Sequence, residues 1–485
     1  MKKLFLMEVL CVSLVFNGMA QTDIIRQATQ LEDKGLFNGA AELLTKAINS
    51  PAASATELKE LEFERDRLER IKQDYSLTRD QLYQELKGAV KDLTAAEYDK
   101  WVQAGWFDSR EIDGTLYFFG SGVSNLFFRH SELNPRRLKP RKNAERERLT
   151  LQNVEAIKQA AKAEHAPYVL PKKFHVTMGV TAKAEAAPAG EIIRAWVPIP
   201  RRYPFQSDFK LISSSCPVAS IDDEESPVRS VYFEQVARKG KPTEFKIDYE
   251  FTMRGVHFDL AADQVRPYEP NDPAVRDYTG EGAHVVFTPE IKALSAKIIG
   301  HETNSLSKAK KIYDWLSDNL QYSYALEYST IRNISDYCRS KGYGDCGQQA
   351  LLFITLCRYN GVPARWQSGW NMFPGDTTNH DWTEIYLAPY GWMPVDPYMG
   401  NYAMRYITTL TPEQKLEIRD FYFGGLDQYR MAANSDHSHA LNPPKQSMRS
   451  DDVDFQRGEL EHSGKNIYFD QSSHHFERQE LTFPQ

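Results

Sequence analysis

Lys341-Gly-Tyr-Gly-Asp-Cys346-Gly-Gln-Gln-Ala-Leu-Leu-Phe-Ile-Thr-Leu-Cys-Arg-Tyr-Asn360-Gly-Val-Pro-Ala-Arg365 is the stretch on which the reading of this chain turns. Gly342 and Gly344 loosen the backbone ahead of Cys346, and Asp345 belongs to the residue types that cap a helix start. Over 347–359 the apolar side chains Ala350, Leu351, Ile354, Leu356 and Cys357 recur at three- and four-residue spacings, which predicts a largely buried helix. Asn360-Gly361 is a stop signal, and Pro363 ends the run. Cys346 therefore falls in the first turn. There the unpaired backbone N–H groups and the helix dipole favour thiolate over thiol, and the same groups could receive an oxyanion during acyl transfer. The competing reading of such a cysteine is a small buried hydrophobe, which suits Cys357 deeper in the same helix.

Working outward, His380-Asp-Trp-Thr-Glu-Ile-Tyr386 alternates with the period of a strand. Pro389-Tyr390-Gly391 signals a turn, and Trp392, Met393 and Val395 read as the return strand, ended by Asp396-Pro397. Such a hairpin brings His380 and Asp396 close across two strands, with the register left open because Pro394 could force a bulge. A thiol, an imidazole and a carboxylate, each at the edge of a regular element, are the parts of a nucleophilic site.

Gly344-Asp345-Cys346, the Gly361-Val-Pro-Ala-Arg365 tail, His380-x-Trp382-x-Glu384 and Gly391-Trp392-(x)3-Asp396 resemble the transglutaminase-like superfamily, a branch of papain-like thiol enzymes. The resemblance implies that Cys346 is the nucleophile, His380 the general base and acid, and Asp396 the group that orients the imidazole. It implies a papain-like α+β catalytic domain over 256–445. An oxyanion-holding side chain upstream of the cysteine is also implied, with Gln321, Tyr322, Tyr324 and Tyr328 all candidates. The small β domain that precedes the thiol domain in bacterial members of the family matches the region before 256.

The chain has 485 residues, 41% hydrophobic and 26% charged, and so carries material for several globular domains. A net charge of −7 and the absence of a basic stripe with interleaved aromatics argue against a nucleic-acid partner. Met1-Lys2-Lys3, the apolar run 9–16 and Gly18-Met19-Ala20 form a secretory leader over 1–20, so the protein is expected to be periplasmic or secreted and not membrane-spanning. Cys216, Cys338, Cys346 and Cys357 remain after its removal, too few for a disulfide scaffold. A Cys338–Cys346 bond would silence the nucleophile. The spacing is not that of a zinc site, and no metal is expected.

Residues 21–165 read as a mostly helical N-terminal domain. Its parts are one tetratricopeptide-like pair around Ala28, Leu31, Gly35, Phe37, Ala40 and Ala47, a charged amphipathic helix over 56–75, and shorter helices near 80–92 and 95–105. Ile112-Asp-Gly-Thr115 signals a hairpin. Residues 172–255 change to short alternating strands at 174–179, 192–200, 230–235 and 245–252, a small β-sandwich. The tail 446–485 is a C-terminal β extension, with His474-His475 read as an exposed pair. The expected architecture is thus α+β and multidomain: helical region, β-sandwich, thiol domain.

The reaction this implies is amide acyl transfer through a thioester on a Cys346-His380-Asp396 triad, with no cofactor. Hydrolysis of a peptide, protein or small amide is the first expectation, and transamidation of a glutamine-type donor is the second. A catalytically silent binding or assembly protein is the non-enzymatic rival. No Asp-x-Asp-x-Asp-Gly loop appears, so calcium dependence is not carried over. Substrate choice would reside in cleft loops such as 371–379.

Overall fold

The computed structural model describes residues 21–482 other than 52, 53, 142 and 270. The stretch 1–20, expected to be a secretory leader and including Cys11, lies outside the described residues. The chain divides into two compact units at 140/141. The helix Ala144–Glu164 therefore belongs to the second unit, and not to the helical N-terminal region that the sequence runs on to 165.

The first unit starts with the helical pair Gln21–Asp33 and Phe37–Ile48, closed on its inner face by Ala28, Phe37, Ala40, Leu44 and Ala47. The helix Ala55–Asp74 follows, started by a Ser54–Glu57 capping box. Its Arg67 is buried in an ion-pair cluster with Glu32 and Glu64, and Arg110 joins Glu32 from the hairpin. The helices Arg79–Lys87 and Ala95–Gln103 pack Leu82, Leu86 and Trp101 against Phe107, Phe118, Leu126 and Phe127. Between them and Gly122–Arg129 stands the expected hairpin, Ser109–Ile112 against Thr115–Phe118. Asp113 and Gly114 carry its two-residue turn with φ of 48° and 81°, the doubly left-handed geometry that an Asp-Gly pair supplies.

The second unit is built on two five-stranded sheets and one four-stranded sheet. One sandwich sheet runs Gly425–Leu426, Thr243–His257, Tyr168–Ala182, Ser472–Leu481, with Gln206–Ser214 also paired to Thr243–His257. The other runs Lys465–Ile467, Glu459–His462, Ile192–Pro198, Ser230–Val236, Ser220–Ile221. The tail is thus not a separate extension. Ser472–Leu481 pairs residue for residue with Lys173–Ala182, and Glu459–His462 pairs with Ile193–Trp196, so both sheets are completed from the tail. His474 and His475 are exposed on that last strand.

The sandwich core of Phe174, Val176, Ile193, Val197, Phe233 and Ile247 runs without a break into Trp370, Met372, Trp382 and Met431 of the four-stranded sheet. Packing therefore fixes the back of that sheet. Its order is Gly391–Val395, Asp376–Leu387, Ala364–Phe373, Arg430–Asn434, all antiparallel. The opposite face takes the buried helix Cys346–Tyr359, whose Leu351, Ile354 and Cys357 share a core with Trp366, Ile385, Met393 and Val395. Among the described residues no helix is long and apolar enough to cross a membrane.

Candidate active site

Asp345 caps the central helix as its sequence requires. Its carboxylate accepts from Gln348 N at 3.0 Å, and Asp345 N in turn donates to the Gln348 side-chain oxygen. Cys346 is the first helical residue and is partly buried. The other three cysteines are free too, and Cys338 lies buried against Gly344.

His380 sits in the strand Asp376–Leu387. The return strand pairs from Leu387↔Gly391 to Thr383↔Val395 with no shift of register. Pro394 forces no bulge because it lies on the edge strand of the sheet, opposite Glu384. Asp396 follows at once, as the N-cap of Pro397–Arg405, and its Oδ1 accepts from Met399 N at 3.0 Å. Its Oδ2 is 2.7 Å from His380 Nε2. The imidazole and carboxylate are therefore joined, and Nδ1 is the ring nitrogen that Asp396 does not engage. His380 is sandwiched between rings: Trp382 stacks at 5.7 Å and Tyr398 meets it at 5.4 Å. Glu384, part of the same motif, pairs with Arg365 at 2.7 Å in the sheet and is structural.

Asp396 and Asp345 are tuned in opposite directions. His380 and Arg430 hold the fully buried Asp396 carboxyl below its ordinary range, against the cost of burial. Burial pushes the Asp345 carboxyl up to about 6. Burial also lowers the His380 imidazole, only partly offset by Asp396. It raises the Cys346 thiol, with Asp381 adding to the effect. Burial thus favours the neutral form of both the thiol and the imidazole. A helix start alone favours a thiolate, and at Cys346 burial works against it.

The four oxyanion candidates separate. Gln321–Tyr322 is a two-residue strand parallel to Tyr343–Gly344, which carries the chain into Asp345 and Cys346. The Tyr322 ring packs on Tyr398 at 5.1 Å and on Tyr324 at 5.6 Å, within electrostatic reach of Cys346. Tyr324 is 46% exposed. The Tyr328 hydroxyl donates to Asp345 Oδ1 at 2.7 Å, so its proton is committed to the helix cap. The segment 371–379 is no free loop. It closes a hairpin in which Phe373 pairs with Asp376, and Asp376 is ion-paired to Arg146 at 2.7 Å.

Three residues absent from the sequence reading belong to the site. Arg430 Nη2 lies 3.2 Å from Asp396 Oδ2 and 3.0 Å from Asp427 Oδ2, and Tyr422 donates to that same Asp427 oxygen at 2.9 Å. Asp381 Oδ2 is 3.4 Å from the Cys346 sulfur. Gln456, from the tail, donates to the His380 carbonyl at 2.9 Å and to Asp381 Oδ1 at 2.5 Å. Among the described residues no cluster of three or more His, Cys, Asp or Glu side chains could hold a metal ion.

The chain is similar to two uncharacterised bacterial proteins over part of its length. YebA of Bacillus subtilis is 28% identical over 129 residues, 23% of this chain and 17% of its own length. A Haemophilus influenzae protein is 25% identical over 145 residues, 25% of this chain and 39% of its own. Among solved structures, a Cytophaga hutchinsonii protein provisionally described as a cysteine protease aligns with a TM-score of 0.41 at 16% identity, covering 65% of this chain and 93% of that one. The periplasmic domain of TgpA from Pseudomonas aeruginosa aligns with a TM-score of 0.27 at 14% identity, covering 56% and 96%. The model of the transglutaminase-like superfamily matches residues 292–397, the span from the helix Pro289–Ile299 through Cys346 and His380 to Asp396. The chain thus carries a transglutaminase-like core domain.

Proposed function

We propose that the protein is an exported thiol enzyme that cleaves amide bonds through Cys346, His380 and Asp396. The observation that carries this reading is the buried His380 Nε2–Asp396 Oδ2 pair at 2.7 Å, on the sheet that packs against the helix starting at Cys346. Export is supported by the leader-like sequence over 1–20.

In this mechanism Cys346 passes its proton to His380 Nδ1 as the sulfur attacks the amide carbon. The imidazolium so formed faces Asp396, which stays ionised because His380 and Arg430 hold it below its ordinary range. The oxyanion is received by the N–H groups at the helix start, with Tyr322 as the side chain best placed to assist. The imidazolium then protonates the leaving amine, and a thioester on Cys346 remains. His380 next takes a proton from water, hydroxide adds to the thioester, and the thiol leaves with the proton restored. The products are a carboxylic acid and an amine. No cofactor enters the cycle.

Substrate peptides bearing an amide at a chromogenic amine test the reaction. Hydrolysis is expected from the wild type and none from Cys346→Ala, with iodoacetamide mapping to Cys346 ahead of the other thiols. Labelling of Cys346 no faster than a free peptide thiol, with no hydrolysis, would leave a binding protein on the same fold. Incorporation of a labelled primary amine into a glutamine peptide would shift the assignment to transamidation.

A further inference from the structure

The hydrogen-bond partner of the Cys346 sulfur is Asp381, the residue after the imidazole, with Sγ and Oδ2 3.4 Å apart. The Asp381 backbone reaches the same sulfur and favours its ionised form. The carboxyl is held in place from several sides. Gln456 Nε2 donates to Oδ1 at 2.5 Å, and the side chain is only 3% exposed. Gly347, the second helical residue, makes room for it. A Cβ there would overlap the Tyr328 hydroxyl and lie 2.7 Å from Asp381 Oδ2, so a side chain at 347 would push the carboxyl off the sulfur.

The groups facing this carboxyl are mostly acidic. The helix start presents Asp345 and Cys346, the short turn Tyr328–Thr330 presents Tyr328, and the following helix start presents Asp396. His380 is its neighbour on the strand. From the tail come Asp451 and Asp454, and the Arg457 guanidinium sits with Asp451 at 3.3 Å. Burial, then Asp345, pushes the Asp381 carboxyl well above the usual carboxylate range. A buried carboxyl in contact with a thiol has two distinct hydrogen-bonding states, one with its proton and one without.

We propose that Asp381 is a positioning residue for the nucleophile whose own protonation sets whether the sulfur is released or parked. With the proton on Oδ2, the O–H donates to sulfur and supports a thiolate as the thiol proton passes to His380 Nδ1. Without it, the S–H donates to the carboxylate and the sulfur stays a thiol. One proton moves from sulfur to nitrogen in the first state, none in the second, and no other bond changes. The inference rests on the thiol-enzyme reading above for its consequence, and on the sulfur–carboxyl contact for its physics.

The test is the rate of iodoacetamide labelling at Cys346, mapped by mass, across pH in the full chain. Asp381→Asn keeps the shape and an N–H donor but cannot ionise. Its labelling is expected to be about tenfold faster than wild type on the alkaline side, where the wild-type carboxyl has lost its proton, and equal on the acid side. Superimposable profiles overturn the proposal. Gln456→Leu removes the amide that favours the ionised carboxyl, and is expected to shift the profile in the same direction by about threefold. If Asp381→Asn shows no cooperative melt, the Gln456→Leu profile decides by the same criterion. Hydrolysis by wild type and its loss in Cys346→Ala are read in parallel. A shifted profile with no hydrolysis sinks the thiol-enzyme reading and leaves the sulfur–carboxyl coupling, whereas hydrolysis with unshifted profiles sinks the coupling alone.

Discussion

Two buried carboxylates, Asp396 and Asp427, lean on the single guanidinium of Arg430. Replacing it with methionine would leave both carboxylates with no Arg or Lys paired to them among the described residues. Arg430→Met is expected to cost about 3–5 kcal/mol of stability, read from thermal or denaturant melts. Arg430→Lys would recover little, because one ammonium cannot span two carboxylates as a planar fork does. His380 gives the pH prediction at the same scale. In the proposed mechanism it must be neutral to take the thiol proton, and burial lowers its affinity for protons. Activity should therefore persist below the ordinary imidazole value of about 6.5 and fall only as pH drops through the lowered one. Asp396→Asn removes a charge that favours the imidazolium, so the acid limb of kcat/KM should move lower still while the maximum rate falls. A limb fixed at the same pH in both proteins would count against the pairing. Cys346 and Asp396 stand where a local signal ends, a cap and an Asp-Pro stop, whereas His380, read as a strand start, lies inside the strand Asp376–Leu387. Arg430 and Gln456 carry no such mark. Only strand pairing and a returning tail bring them in, and Asp381 reads in sequence as nothing more than a spacer after His380.

Between elements, the tightest joint of the site sheet is at Gly369. It pairs with His380 on one side, and on the other the register to Arg430–Asn434 shifts between Ser368 and Gly369. A Cβ at 369 would overlap the Met431 carbonyl oxygen. Gly369→Ala is expected to destabilise by about 3 kcal/mol or more and to separate Arg430 from Asp396. A melt and a kcat/KM within error of wild type would show that the strand can yield. The helices and the hairpin of the first unit are legible because their signals are local: capping residues, an Asp-Gly turn, three- and four-residue periodicity. The register of the site hairpin was not, since an edge-strand proline and a bulge-forming proline look the same until the neighbouring strand is known.

Across the molecule, the sandwich is written at both ends of the second unit. The strand Ser472–Leu481 hydrogen-bonds along Tyr168–Ala182, and the sequence separation between them hides the pairing from any local pattern. A chain ending at 471 would uncover a long strand edge whose buried neighbours Phe174, Val176 and Met178 lie in the core that backs Trp382. Its expected fate is aggregation or a melt lowered by 10 °C or so, checked by size-exclusion and circular dichroism. Residues 141–485 alone, by contrast, should unfold cooperatively, because that unit has cores of its own. The position of Gln456 has a further consequence for how the protein is made. A polypeptide leaving the ribosome, or threading through a translocon, delivers Cys346, His380 and Asp396 well before the amide that ties the imidazole strand, and the last strand of the supporting sheet follows later still. Nascent chains would therefore carry Cys346 without its finished surroundings until synthesis has passed the far end of the sandwich.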